Sequence, residues 1–265
     1  MLKSLIHTLV NMVEQKYKKG DLIDGRYQVE EYLGSGSYGR SYLVYDRKEK
    51  RVAVLKALRL HKRLSKKGRD QFLRESDFLE QLQHPALPQL YNRGTYTGIP
   101  YFTMEYINGK TFEQLIFSEG KVFGERESFS IALELIEIIG FIHACNVVHR
   151  DIRIPNIMIE GDKIKIIDFG LAKELSETVK PLCPGTRSPF KEVSFRSDFY
   201  GLGHFLLFLL YSGYEVTDNH PMEKSWEEEL KITPFAKKII RRLLQLDEPY
   251  SIWHEVQKDF LKIAR

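Results

Sequence analysis

Residues 149–156 read HRDIRIPN, and the tripeptide DFG follows at 168–170, twelve residues after Asn156. Taken singly, each aspartate or asparagine here is an ordinary turn-maker, because its short polar side chain bonds nearby backbone. Taken in order, Asp151, Asn156 and Asp168 set a question for the rest of the chain: does anything upstream give this order a meaning?

The stretch LGSGSYGRSYLVY at 33–45 places Gly34, Gly36 and Gly39 at G-x-G-x-x-G spacing. Glycine admits positive φ and close backbone approach to a ligand, so this pattern alone serves dinucleotide-binding folds, kinases and plain flexible hairpins alike. In the strand expected at 51–56, alternation puts Val52, Val54 and Lys56 on one face, so a lysine ends an apolar row. A lone lysine there would snorkel from the strand end. The next segment argues against that. SKKGRDQFLRESDFLEQLQHP at 65–85 changes to helical period, with Phe72, Leu79 and Leu82 as one stripe and Pro85 just beyond the end. Glu75 falls on that inward stripe, whereas Glu80 points roughly 140° away. A carboxylate aimed at a core needs a cation or it shifts toward its neutral form, and Lys56, nineteen positions earlier, is the nearest candidate.

The wider chain fits this picture. Short β-rich runs from 26 to 58, separated by the glycine loop and the charged turn DRKEK, predict a strand meander, and LPQLYNRGTYTGIPYFTMEYI at 87–107 adds more strand signal. After Gly109 the pattern is mainly helical, from SFSIALELIEIIGFIHACN to PFAKKIIRRLLQLD. A β-rich front and a helical back predict two lobes with a cleft between them. At 43% hydrophobic and 29% charged, the composition excludes a disordered chain. The net charge of +4 is spread out. Its densest run, HKRLSKKGR at 61–69, reads as a solvated approach to a helix, and without an aromatic or binding motif no nucleic-acid partner is expected. Cys145 and Cys183 are too few for a disulfide framework and fit a reducing cytoplasm. The start, MLKSLIHTLVNMVEQKYKKG, spaces its apolar residues as a short helix and lacks the apolar core of a signal peptide, so residues 1–24 are expected to be a helical extension. The apolar run GLGHFLLFLLYSGY at 201–214 is too short to span a bilayer and reads as a core helix, so no transmembrane segment is expected.

With these residues in order, the chain resembles the eukaryotic-like, Hanks-type serine/threonine protein kinases of bacteria over roughly 26–246. The resemblance implies an α+β, bilobal fold: a β-rich N-lobe of about 25–104 with the family's helix C, a hinge at about 105–109, and a mainly helical C-lobe from about 110 to 265 within a kinase domain of 25–265. It implies ATP and Mg²⁺ as cofactors, with Mn²⁺ as a substitute. The glycine lid Leu33, Gly34, Ser35, Gly36, Ser37, Tyr38 and Gly39 would cover the phosphates, Lys56 would hold them and Glu75 would orient Lys56. Asp151 would serve as base or orienter, with Asn156 and Asp168 as metal ligands. Arg153 stands where the family carries a lysine that contacts the γ-phosphate, replacing a point charge with a planar fork. Met104, Glu105, Tyr106 and Ile107 would form the gatekeeper and hinge, and Met158 the pocket floor. Ser41 and Val54 sit where the family has valine and alanine over adenine, two swaps expected to compensate in volume.

Other positions depart further from the family pattern. GTRSPFKE at 185–192 lacks a proper A-P-E, Asp198 follows Glu192 after a short link, and the arginine expected late in the domain is missing from LDEPYSIWHEV. The protein-docking shelf is therefore the weakest part of the resemblance. Thr186 matches the loop threonine that contacts the catalytic aspartate. Together with Ser176, Thr178 and Ser188 it is a candidate phosphosite, and Arg150 could receive a phosphate placed nearby. The expected activity is γ-phosphate transfer to serine or threonine of a protein substrate, with self-association for autophosphorylation. The rivals are a pseudokinase scaffold, whose usual mark is loss of the lysine or either aspartate, and a small-molecule phosphotransferase on the same fold.

Overall fold

The alternation expected between 26 and 58 is visible in the sheet it builds. The computed structural model describes residues 16–36, 38–175, 189, 192–214 and 224–264. The chain divides into two compact units, one of residues up to Asn108 together with Asp168–Gly170, the other of Gly109–Ile167 and Leu171 onward. In the first unit β1 (Leu22–Ile23), β2 (Tyr27–Ser35), β3 (Gly39–Asp46), β4 (Arg51–Leu58), β5 (Leu90–Tyr96) and β6 (Ile99–Glu105) form one antiparallel sheet in the order β1-β2-β3-β4-β6-β5. Tyr27 and Val29, Tyr42 and Val44, and Ala53, Leu55 and Ala57 make the buried cluster on one face. Their strand neighbours Ser41, Val54 and Lys56 therefore belong to the other face. A short helix, α1 (Leu60–Arg63), follows β4, and α2 (Lys66–Gln81) comes next. Ser65 caps α2 by accepting from Gly68 N at 3.2 Å. The expected stripe of Phe72, Leu79 and Leu82 is fully buried.

The expected helical extension over 1–24 is corrected where it can be seen. Residues 1–15 lie outside the described residues, and 17–24 form no helix. Gly20 takes a φ of 90°, its N–H donates to Val29 O at 2.8 Å, and Val29 N–H donates to Asp21 O at 2.9 Å. The sheet edge thus satisfies these backbone groups better than one more helical turn would, and Leu22–Ile23 pairs with Tyr27–Gln28.

In the second unit α3 (Glu125–Ala144) packs on α4 (Phe195–Tyr211) and α7 (Trp253–Ala264), with α5 (Trp226–Glu229) and α6 (Pro234–Leu243) between the last two in sequence. Phe129 of α3 meets Phe260 of α7 edge-on at 5.4 Å. The apolar run expected as a core helix lies in α4, and its residues Leu202, Phe205, Leu206 and Leu209 are fully buried. No described helix is long and apolar enough to cross a membrane. The remaining strands are short: β7 (Lys110–Thr111), β9 (Ile157–Glu160) and β10 (Lys163–Ile166) form a three-stranded sheet, and β8 (Val147–Val148) pairs with β11 (Lys173–Glu174).

Candidate active site

The sequence-predicted residues fall into two clusters, one in each unit. In the first, Lys56 lies near the end of β4 and is 4% exposed. Its Nζ donates to Glu75 Oε1 of α2 at 2.6 Å and to Asp168 Oδ1 at 3.1 Å. The inward carboxylate read from the helical stripe therefore has the partner its burial demanded. Burial opposes the charge on Lys56, but the Glu75 and Asp168 carboxylates more than offset it, so the ammonium is held charged above the ordinary lysine range. Burial, with the nearby Asp168 charge adding to it, pushes Glu75 up to about 7 against the pull of Lys56. Asp168 takes a left-handed φ of 66°, and its Oδ1 also accepts from Gly170 N at 3.0 Å. Gln71 of α2 donates to Gly170 O at 3.1 Å, tying the DFG glycine to the same helix.

The glycine loop lies over this cluster. Gly34 ends a bulged stretch of β2 at φ 152°. Gly36 donates to Gly39 O at 2.9 Å, and its carbonyl accepts from Arg59 Nη1 at 3.2 Å. Arg59 N–H donates to Tyr38 O at 2.9 Å, and the Tyr38 ring lies 4.9 Å from Lys62 Nζ. Leu33 is exposed, Ser35 pairs with Arg40, and Ser41 pairs with both Gly34 and Lys56. Ser37 lies outside the described residues. Val54 pairs with Met104, and both are buried. The Glu105 N–H donates to Gln89 O at 2.8 Å. That group is thus committed within the protein, which narrows the expected hinge donors to the positions after it. Tyr106 is half-buried and Ile107 buried.

The second cluster gathers around the HRD loop. Asp151 Oδ1 pairs with Arg153 Nε at 2.9 Å, and Asp151 Oδ2 accepts from Asn156 Nδ2 at 2.8 Å. The Asn156 amide also donates to Asp151 O at 3.0 Å, so its nitrogen faces the aspartate. Arg153, expected at a phosphate, here rests on Asp151, with its side chain 58% exposed. Behind the loop, Asp198 of α4 is fully buried and accepts from His149 N at 2.9 Å and Arg150 N at 2.6 Å, with His143 Nε2 at 2.9 Å. Arg150 takes a φ of 65°, a left-handed turn those two amide bonds hold in place. A Cβ on Gly201 would stand 2.7 Å from Ile152 O, so glycine there lets α4 come against the loop backbone. Met158 pairs with Thr111 and Lys165 on β9. Glu192 accepts at its carbonyl from Arg150 Nε at 3.2 Å. Ser176, Thr178, Thr186 and Ser188 lie outside the described residues.

Arg59 and His143 were not singled out from the sequence. Each meets its partner across 23 or 55 positions, and no local periodicity marks such a pairing.

Comparison with known proteins agrees with this geometry. The family model described as protein kinase domain matches residues 27–264. The chain therefore belongs to the protein kinase family, in its Hanks-type bacterial serine/threonine branch. It is similar to the probable serine/threonine-protein kinase YbdM of Bacillus subtilis (strain 168), 33% identical over 250 residues that cover 94% of this chain and 93% of that protein. It is also 33% identical over 160 residues to the serine/threonine-protein kinase PrkC of the same strain, covering 60% of this chain but only 24% of PrkC. Among solved structures, the Mycobacterium tuberculosis PknI kinase domain superposes with a TM-score of 0.71 at 20% identity, covering 94% of this chain and all of that one. That likeness speaks to the fold. Kinases of this family use ATP and a divalent metal ion. Within its own unit each candidate ligand has the right chemistry: Asp168 carries a carboxylate, and the Asn156 amide turns its nitrogen to Asp151, so both offer hard oxygen donors. Among the described residues there is no group of three or more His, Cys, Asp or Glu arranged around a metal.

Proposed function

We propose that this chain transfers the γ-phosphate of Mg-ATP to serine or threonine hydroxyls of a protein, acting in the cytoplasm. The observation that carries this reading is Lys56, buried and charged between Glu75 and Asp168 at 2.6 and 3.1 Å. An ammonium kept charged by two carboxylates is ready to hold phosphate oxygens. Asp151 orients the acceptor hydroxyl and takes its proton, while Asn156 holds the aspartate side chain in one rotamer. Asn156 and Asp168 would hold Mg²⁺, or Mn²⁺ in its place. An ion held there would supply positive charge to offset the negative charge that develops on the phosphates. Arg153, now paired with Asp151, has the exposure to exchange that carboxylate for a γ-phosphate oxygen, since its fork binds either anion. Ser41, Val54 and Met104 would contribute the adenine contacts of the first unit, Glu105 to Ile107 the hinge, and Met158 the contact of the second unit. Autophosphorylation between two copies would fall on Ser176, Thr178, Thr186 or Ser188, with Arg150 as the receiving cation.

The test is phosphate transfer from radiolabelled Mg-ATP to generic protein substrates, offered beside small alcohols. Asp151→Asn is expected to lower the rate about a thousandfold, as loss of an essential group in such a set does. Label appearing on the alcohols alone would favour a small-molecule phosphotransferase. Transfer undiminished in the variant would sink the role given to Asp151.

A further inference from the structure

Lys56 is not the only cation the sheet extends to α2. The strand registers run Ser41 to Lys56 to Phe102 to Arg93, one row across β3, β4, β6 and β5. Paired residues in a row share a face, so Lys56 and Arg93 reach toward the same helix, about 10 Å apart with one strand between them. Phe102, between them in the row, packs on Phe72 of α2 at 5.1 Å. Lys56 grips Glu75. Arg93 grips the residues just after it: Nε donates to Ser76 Oγ at 2.8 Å, Nη1 to Glu80 Oε2 at 2.9 Å and Nη2 to Asp77 Oδ1 at 3.1 Å.

We propose that Arg93 is a positioning residue for phosphate transfer: it fixes the rotation and register of α2 so that Glu75 meets Lys56. This rests on the reading of Lys56 and Glu75 as the phosphate-holding pair. One ion pair lets a helix pivot about it, whereas a second anchor about two strand spacings away removes that freedom. Exposed ion pairs by themselves contribute little, and Asp77 and Glu80 are exposed. The bond to Ser76 differs. Ser76 is fully buried and donates its own hydroxyl proton to Leu73 O at 2.7 Å, so its oxygen is locked to the helix backbone and accepts Arg93 at one helix setting only. The planar fork then engages three acceptors at once with donors fixed in one plane, whereas the three donors of an ammonium rotate and set no orientation.

A double-mutant cycle tests this. Arg93→Ala should lower kcat about tenfold with KM for the protein acceptor within twofold, and should add less than a twofold loss when Glu75 is already glutamine. The same loss in both backgrounds, or no loss in either, overturns the proposal. Amide hydrogen exchange reads the same grip without turnover. Arg93→Ala should speed exchange along α2 (Lys66–Gln81) at least tenfold while leaving α3 (Glu125–Ala144) unchanged, and unaltered exchange in α2 also overturns it. If Arg93→Ala does not fold, Ser76→Ala removes the buried acceptor while leaving the exposed partners of Arg93 in place, and is read in the same two ways. A parent protein that transfers no phosphate would defeat the kinase reading, while the exchange result would still decide the role of Arg93.

Discussion

A methyl group at position 39 would stand 2.8 Å from Cγ of Lys56 and 3.1 Å from Cε2 of Phe72. Both neighbours are buried, so neither can swing away, and glycine is required here for close approach. Gly39→Ala is therefore expected to displace Lys56 and lower kcat/KM for ATP by about ten- to a hundredfold, the scale for misplacing a reacting group by an ångström. Two places along, Ser41 is paired with Lys56 and Leu43 with Val54, which makes Ser41 and Val54 diagonal neighbours on one face. A small residue stands beside a larger one, as compensation of volume requires. Ser41→Val should overfill that surface and weaken ATP binding in a titration; binding that is unchanged or tighter would contradict the compensation.

At the scale of elements, the turn DRKEK between β3 and β4 was legible as a hairpin from its charge and its β-rich flanks. What holds its base was not. Asp46, almost fully buried, receives Arg26 Nε and Nη2 at 2.7 Å each, and Lys48 N and Glu49 N at 3.1 and 3.3 Å. The bonds from Arg26, helped by those backbone amides and opposed by burial, hold its carboxyl below the usual range. A carboxylate whose folded pKa is depressed adds stability above its unfolded pKa and loses it as pH falls through the folded value. Asp46→Asn should thus lower the unfolding free energy by about 1–3 kcal/mol at pH 7. In denaturant titrations the difference from the parent should shrink as pH drops below about 4, where the unfolded carboxylate itself takes a proton. The strands and long helices were readable because burial on one face imposes a period. The segment 17–24 was misread because backbone pairing to β2, which no periodicity announces, decided its conformation.

For the whole molecule, the formal charge of +4 with a pI near 8.8 makes modification easy to follow. Each phosphate added to Ser176, Thr178, Thr186 or Ser188 brings about −1.5 to −2 charges at neutral pH, so two would bring the chain close to zero. Incubation with Mg-ATP should then shift the isoelectric band well below its starting point, in step with phosphate-sized increments in intact mass. An unmoved band with unchanged mass would argue against autophosphorylation. The sequence by itself determined which residue types stand in which order: a glycine loop, a lysine ending an apolar strand face, a glutamate on an inward helical stripe, and the HRD and DFG segments. Period and spacing are local properties, and they reached that far. Only the tertiary structure decided who meets whom: that Glu75 and Asp168 share Lys56 across 19 and 112 positions, that Arg153 rests on Asp151, that Asp198 collects His143 and the backbone of the HRD loop, and that Arg93 takes a second hold on α2. Such pairings are set by strand register and by which face of a helix is buried, and separation along the chain carries no record of either.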